Sequence, residues 1–155
     1  MNLLWEWLAD PAHWQGADGI PVRTLEHLLY SAITLVLAAV VAGPLGLWIG
    51  HTGKGRVLVV NLVNGMRSVP TLGLLFVAVL VAGPLLAGNI AFLVPAIFVL
   101  VILAIPPILA GAYAGVESVD PSARDAARGM GMSPRQLLFD VEIPFALPLL
   151  FSGLR

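Results

Sequence analysis

The sequence contains no cysteine, so it can form neither a disulfide framework nor a thiolate metal site, and it carries no signal of redox compartment. Charge is scarce too. Only 11% of the 155 residues are charged, against about 25% in an ordinary soluble domain. Such a chain cannot coat a globule of this size with a wet surface, so the remaining solvent is lipid. The formal net charge of −1 gives no support for a nucleic-acid partner. Residues Met1 to Gly19 hold Glu6, Asp10 and Asp18 but no Lys or Arg, unlike the positively charged start of a signal peptide. His13, His27 and His51 lack metal-ligand spacing, and no clustered ionisable residues suggest catalysis, so no metal, cofactor or catalytic residue is expected. A phosphate-binding Gly-x-x-x-x-Gly-Lys-Ser/Thr loop is also missing, because Gly53-Lys54-Gly55 has neither the upstream glycine nor the hydroxyl residue.

What the chain has instead is apolar length. Hydrophobic residues make up 59% of it, with a mean hydropathy of +0.94. Leu28 to Gly50 is free of charge, and as a helix it would measure roughly 34 Å, enough for a hydrocarbon core about 30 Å thick. His51-Thr-Gly-Lys-Gly-Arg56 closes that run with turn chemistry and two cations. No charge occurs between Arg67 and Glu117, a stretch too long for one span, and its Gly83-Pro84 and Gly88-Asn89 pairs mark a break. Spans are therefore expected at about 28–50, 57–82 and 90–114 in an all-α, polytopic transmembrane bundle. Residues 1–27 form a separate N-terminal segment. Its Trp5, Trp7 and Trp14 suit the headgroup level. A fourth run, Ile143 to Leu154, is too short to cross a bilayer, so the chain reads as a fragment ending inside a further helix.

Loop charge sets the expected orientation. Lys54 and Arg56 lie in the first loop, and Arg124, Arg128 and Arg135 follow the third span, whereas the 83–89 turn is uncharged. Basic loops stay cytoplasmic, which puts the N-terminus outside.

The 117–135 segment carries the most specific signal. Asp120 before Pro121 reads as an N-cap with proline in the first helical turn, Gly129 and Gly131 as a helix stop, and Ser133-Pro134 as a second start. This predicts a short, well-capped helix of about ten residues between two spans. Within and beyond it stand Asp125-Ala126-Ala127, then Gly131 after three residues, then Val141, Ile143 and Pro144. That pattern resembles the signature of ABC importer permeases, Glu-Ala-Ala, three residues, Gly, nine residues, Ile, one residue, Leu-Pro. Asp replaces Glu, Val replaces Ile and Ile replaces Leu, with the spacing intact.

The resemblance implies a type I ABC importer permease fold, here incomplete, in a bacterial inner membrane. It implies that the short helix docks on a separate cytosolic ATP-binding subunit, with Arg124, Asp125, Ala126, Ala127, Arg128, Gly131 and Met132 at that interface. The further partners it implies are a second permease copy or a sister permease, an extracytoplasmic substrate-binding protein, and membrane lipid. Elsewhere, Asp10-Pro11, Gly19-Ile20-Pro21, Glu26-His27-Leu28, Gly43-Pro44-Leu45-Gly46, Gly50-His51-Thr52-Gly53, Arg67-Ser-Val-Pro-Thr71 and Gly129-Met-Gly-Met132 look like permeases for quaternary-amine osmoprotectants such as glycine betaine, choline and carnitine. Methionine importers share the Arg-Ser-(Ile/Val)-Pro element, so a permease for methionine or another amino acid is the alternative. A non-transporting membrane scaffold that recruits a cytosolic partner is the alternative of another class.

Asn61, Asn64, Arg67, Ser68 and Pro70 are the candidate pathway or gate residues. Asn64 and Arg67 are one helical step apart, and an arginine in mid-bilayer normally faces a pathway or partner. If span two starts later, Arg67 is instead a snorkelling anchor at the headgroups. Ala42, Gly46 and Gly50 form a small-residue row that fits packing within the chain or a subunit interface. Pro95, Pro106 and Pro107 imply kinks in span three, and Met130 and Met132 could contact a partner or close a helix cap.

Overall fold

The computed structural model describes residues 3–66 and 68–153. These are helices and turns with no strand among the described residues, and they divide into two units, Met1–Ile33 and Thr34–Arg155. The division falls six residues beyond the expected boundary at 27/28, inside a continuous helix.

In the first unit, α1 (Leu3–Ala9) is followed by a 3₁₀ turn at Pro11–His13. Asp10 caps that turn by accepting the Ala12 backbone N–H at 2.9 Å, and the Trp14 indole donates to the Leu8 carbonyl at 2.7 Å. Trp5, Trp7 and Trp14 are all exposed. Helix α2 (Ile20–Thr52) begins eight residues before the expected span. Pro21 sits in its first turn, where a missing N–H costs nothing. Arg23, within its first turn, pairs with Asp18 and Glu26 on the exposed surface.

The second unit is organised around α5 (Ile90–Glu117), which continues as helix through Pro95, Pro106 and Pro107. Pro106 and Pro107 remove the donors for the carbonyls of Ile102 and Leu103. Small residues bring α5 close to two neighbours. A Cβ on Gly46 of α2 would lie 2.7 Å from both the Ala112 Cβ and the Leu109 oxygen. One on Gly50 would lie 2.7 Å from the Val116 Cβ. The Ala42, Gly46 and Gly50 row therefore serves packing within the chain. Gly111 and Gly115 of α5 accept the last helix equally closely, against Gly153 and Ala146. Ala38, Ala42 and Ile49 of α2, Ile108 and Leu109 of α5, and Val59 of the helix that follows α2 form a buried cluster.

The expected second span at 57–82 is two helices, α3 (Arg56–Met66) and α4 (Thr71–Ala82), bent by 90° at the break. Pro70 is the cause. It has no N–H, disfavours helical geometry at Val69, and itself adopts an extended ψ of 113° at the N-cap of α4. The break at 83–89 is a 3₁₀ turn (Gly83–Leu85) followed by Gly88 in the left-handed region at φ +61°. Beyond α6 (Pro121–Gly129), helix α7 (Pro134–Gly153) begins at the expected second start, Ser133-Pro134, where a capping box of Ser133 and Gln136 nucleates it. It continues through the apolar run that begins at Ile143. Helices α2, α5 and α7 are each long and apolar enough to cross a membrane, and the bent pair α3–α4 would make a fourth crossing or a re-entrant loop. Large apolar side chains such as Leu72, Phe76 and Leu80 stay exposed on α4, the surface expected when lipid is the solvent.

Candidate functional site

Local chemistry defines both ends of α6. At the N-terminus the Asp120 carboxylate accepts the Ser122 backbone N–H at 2.8 Å, and this bond holds its carboxyl below the usual carboxylate range. At the C-terminus Met132 N–H reaches the Ala127 carbonyl and Gly131 N–H reaches the Arg128 carbonyl, at 3.2 and 2.9 Å. With Gly131 at φ +85°, this is a Schellman motif, and a residue with a Cβ would be strained there. The glycine of the sequence signature is thus a helix stop with a definite backbone requirement.

Between its caps α6 has two faces. Ala127 is 2% exposed and Ala123 and Arg124 are half-buried, whereas Asp125, Ala126 and Arg128 are exposed. Arg124 and Ala127, grouped above with the docking residues, thus turn inward into this chain. The i, i+4 spacing of Ala123 and Ala127 puts both methyls on the packed side. Met130 is 73% exposed, just beyond the helix, and Met132 is half-buried. Met132 borders a cavity of about 310 Å³ with His51, Arg128, Pro134 and Leu137.

The inward face leads to a group that sequence reasoning passed over. Glu142, on α7, is 1% exposed. Its Oε2 lies 2.5 Å from Nδ1 of His51 at the end of α2, and its Oε1 lies 3.0 Å from Nε of Arg124 on α6. The Arg124 contact is a close ion pair off the line of a hydrogen bond, since Nε has no acceptor in good geometry. The same guanidinium donates from Nη2 to the Val116 carbonyl in the last turns of α5. One buried carboxylate therefore joins α2, α6 and α7, and Arg124 extends the link to α5. A charge this deep is tolerated only because it is paired.

Helix geometry explains why Glu142 faces inward. Leu137 and Glu142 are both buried, yet five residues along a regular α-helix separate side chains by about 140°. Leu137–Glu142 is a π-helical segment, whose wider turn brings residues five apart closer in phase than a regular α-helix does, and it ends two residues before Pro144. Without the π turn, Leu137 would fall out of phase with Glu142 and Ala146, which lie four residues apart on one face. A single acid flanked by Val141 and Ile143 was the only hint in the sequence. His51 was read there as part of the turn closing the first span and of a resemblance element, not as a partner of Glu142.

Nearby, Arg56 and Glu117 pair at 3.0 Å between the start of α3 and the end of α5, with both side chains substantially exposed. The pathway candidates do not join this site. Asn61 and Asn64 lie exposed on α3, Ser68 and Pro70 are exposed at the break, and Arg67 lies outside the described residues. Asn64 borders a cavity of about 250 Å³ with Val59, Val63, Ala110, Tyr113 and Ala114.

Comparison with known proteins agrees with this geometry. The choline transport system permease protein OpuBB of Bacillus subtilis (strain 168) is 32% identical over 135 residues, 86% of this chain and 58% of that protein. The carnitine transport permease protein OpuCB of Listeria monocytogenes is 34% identical over 141 residues, 91% of this chain and 62% of that protein. The glycine betaine/proline betaine transport system permease protein ProW of Escherichia coli (strain K12) is 30% identical over 138 residues, 89% of this chain and 37% of that protein. The chain thus spans less than two thirds of the length of these relatives. Residues 42–155, which include α3 to α7 and the Glu142 site, match the family described as binding-protein-dependent transport system inner membrane component, and the chain is a member of that family.

Proposed function

We propose that this chain is the membrane-spanning permease portion of an ATP-driven, binding-protein-dependent importer, and that its cargo is a quaternary-amine osmoprotectant of the glycine betaine, choline or carnitine class. The observation that carries the reading is α6. It is a rigid helix capped at both ends, its inner face anchored to Glu142 and its outer face left free. Membership of the family and the cargo named for the three relatives support the same reading. The shared Arg-Ser-Val-Pro element keeps methionine as the competitor cargo to test.

In this account Asp125, Ala126, Arg128 and Met130 present charge and adaptable apolar surface to a separate cytosolic ATPase subunit. Gly131 fixes where the docking helix ends. Arg124 and Ala127 tie it to the transmembrane helices. ATP hydrolysis belongs to the ATPase subunit, in keeping with the missing phosphate-binding loop. A second permease, either a copy or a sister chain, and an extracytoplasmic binding protein complete the assembly. The N-terminus lies outside the inner membrane and α6 in the cytoplasm, as the basic residues around α3 and α6 favour. The exposed Asn61 and Asn64 belong to the pathway side of α3, and Arg67, Ser68 and Pro70 are the remaining pathway candidates.

Uptake of radiolabelled choline, carnitine, glycine betaine and methionine by cells carrying the assembled importer tests the proposal. ATP-dependent uptake of a quaternary amine, not displaced by methionine, is expected. Uptake of methionine alone would move the protein to the amino-acid class, and ATPase binding without any uptake would favour a scaffold. A periplasmic reporter fused after Glu117 should be inactive, and an active one would invert the orientation.

A further inference from the structure

We infer that Glu142 is a positioning residue of the transport cycle. Resting on the importer reading above, it is the buried charge through which movement of α6 reaches α2 and α7 together. The inference starts from three contacts. Glu142 Oε2 meets His51 Nδ1 at 2.5 Å, Glu142 Oε1 meets Arg124 Nε at 3.0 Å, and Arg124 Nη2 holds the Val116 carbonyl. These four residues lie on four different helices, and among the described residues no other ion pair joins α7 to α2, α5 or α6. The remaining ion pairs of this unit are exposed and contribute little force.

Burial makes the triad stiff. A displacement of α6 that left Glu142 behind would separate a buried carboxylate from its half-buried guanidinium partner. Movement of α6 therefore costs least when Glu142, and with it His51, moves along. Leu137–Glu142 is the segment of α7 with π-type hydrogen bonding, a feature frequent at functional sites. Glu142 sits at its last position, so α7 can shift its lower turn while the Gly111–Gly153 and Gly115–Ala146 contacts hold its upper part against α5. Apolar packing alone would hold α6 in place without linking it to the end of α2.

The test uses the assembled importer in proteoliposomes, reading transport per ATP hydrolysed. Four forms are compared, namely wild type, Glu142→Gln, the doubly neutral Glu142→Gln with Arg124→Gln, and Arg56→Gln as an exposed-pair control. Glu142→Gln should lower the transport-to-hydrolysis ratio about tenfold. The doubly neutral form removes the stranded buried cation, so it should regain assembly and thermal stability while its ratio stays low. Arg56→Gln should keep the wild-type ratio. A wild-type ratio in the assembled double variant would overturn the inference and reduce Glu142 to a structural ion pair, and so would an unchanged ratio in Glu142→Gln. Should wild type bind the ATPase yet transport none of the four cargoes, the importer reading fails instead, which the wild-type arm alone reports.

Discussion

Two polar regions of this molecule, the Glu142 site and the α3–α4 break, were built on opposite plans. At Glu142 three ionisable side chains from three helices converge on one buried point, and both ends of the adjoining α6 are hydrogen-bonded shut. At the break Asn61, Asn64, Ser68 and Pro70 are exposed, and the helix axis turns by 90° around a proline. In one region polarity is spent on holding helices together. In the other it is left facing outward, where a pathway or another subunit could use it. On the proposed reading, the first region transmits movement and the second meets something outside this chain.

Substitutions sharpen that contrast in a graded way. The largest effect is expected from Glu142→Gln, which strands Arg124 without its counter-charge, and its destabilisation should be about 3–5 kcal/mol in thermal or denaturant unfolding of the purified protein. A loss no greater than that of Arg56→Gln would mean that the triad is not structurally important. Gly46→Val comes next, since even a Cβ there meets Ala112 and Leu109 at 2.7 Å. Overpacking of this kind costs about 1–3 kcal/mol, readable as a drop in Tm. Gly131→Ala forces a Cβ into the left-handed region at φ +85° and should cost about 1–2 kcal/mol, visible as faster hydrogen exchange at Gly131 and Met132. The smallest stability change belongs to Asn64→Ala, within about 0.5 kcal/mol as for exposed sites generally. Its uptake should nonetheless fall if α3 lines the pathway. A large unfolding change at Asn64 would break the comparison, because it would reveal a structural role at the outward-facing region too.

Much of α6 was legible in the sequence because its signals are local. Asp120-Pro121 and Gly131 set its ends by side-chain capping and backbone sterics, which act over a few residues. Pro70 carries an equally local signal for a break, yet residues 57–82 read as one span. Span one began earlier than its charges suggested, because Asp18 and Glu26 neutralise Arg23. The small-residue row of α2 was readable, but its partner on α5 was not, since nothing local says which helix will approach. Glu142 was the least visible of all. A π turn breaks the 3.6-residue period just before it, and its partners lie 91 positions away at His51 and on α6. Sorting α6 into faces also required the fold, since Ala126 and Ala127 are neighbours in sequence with opposite fates.

That pair offers the most direct test, and the cysteine-free chain makes it simple. Ala126→Cys and Ala127→Cys, each placed singly in the assembled importer, can be probed by cross-linking to cysteines engineered in the ATPase subunit. The account predicts ready cross-linking and ATPase-shielded labelling at position 126, and neither at position 127. Cross-linking at 127 with none at 126 would reverse the two faces of α6 and contradict the assignment of its inner face to Glu142 and its outer face to the partner.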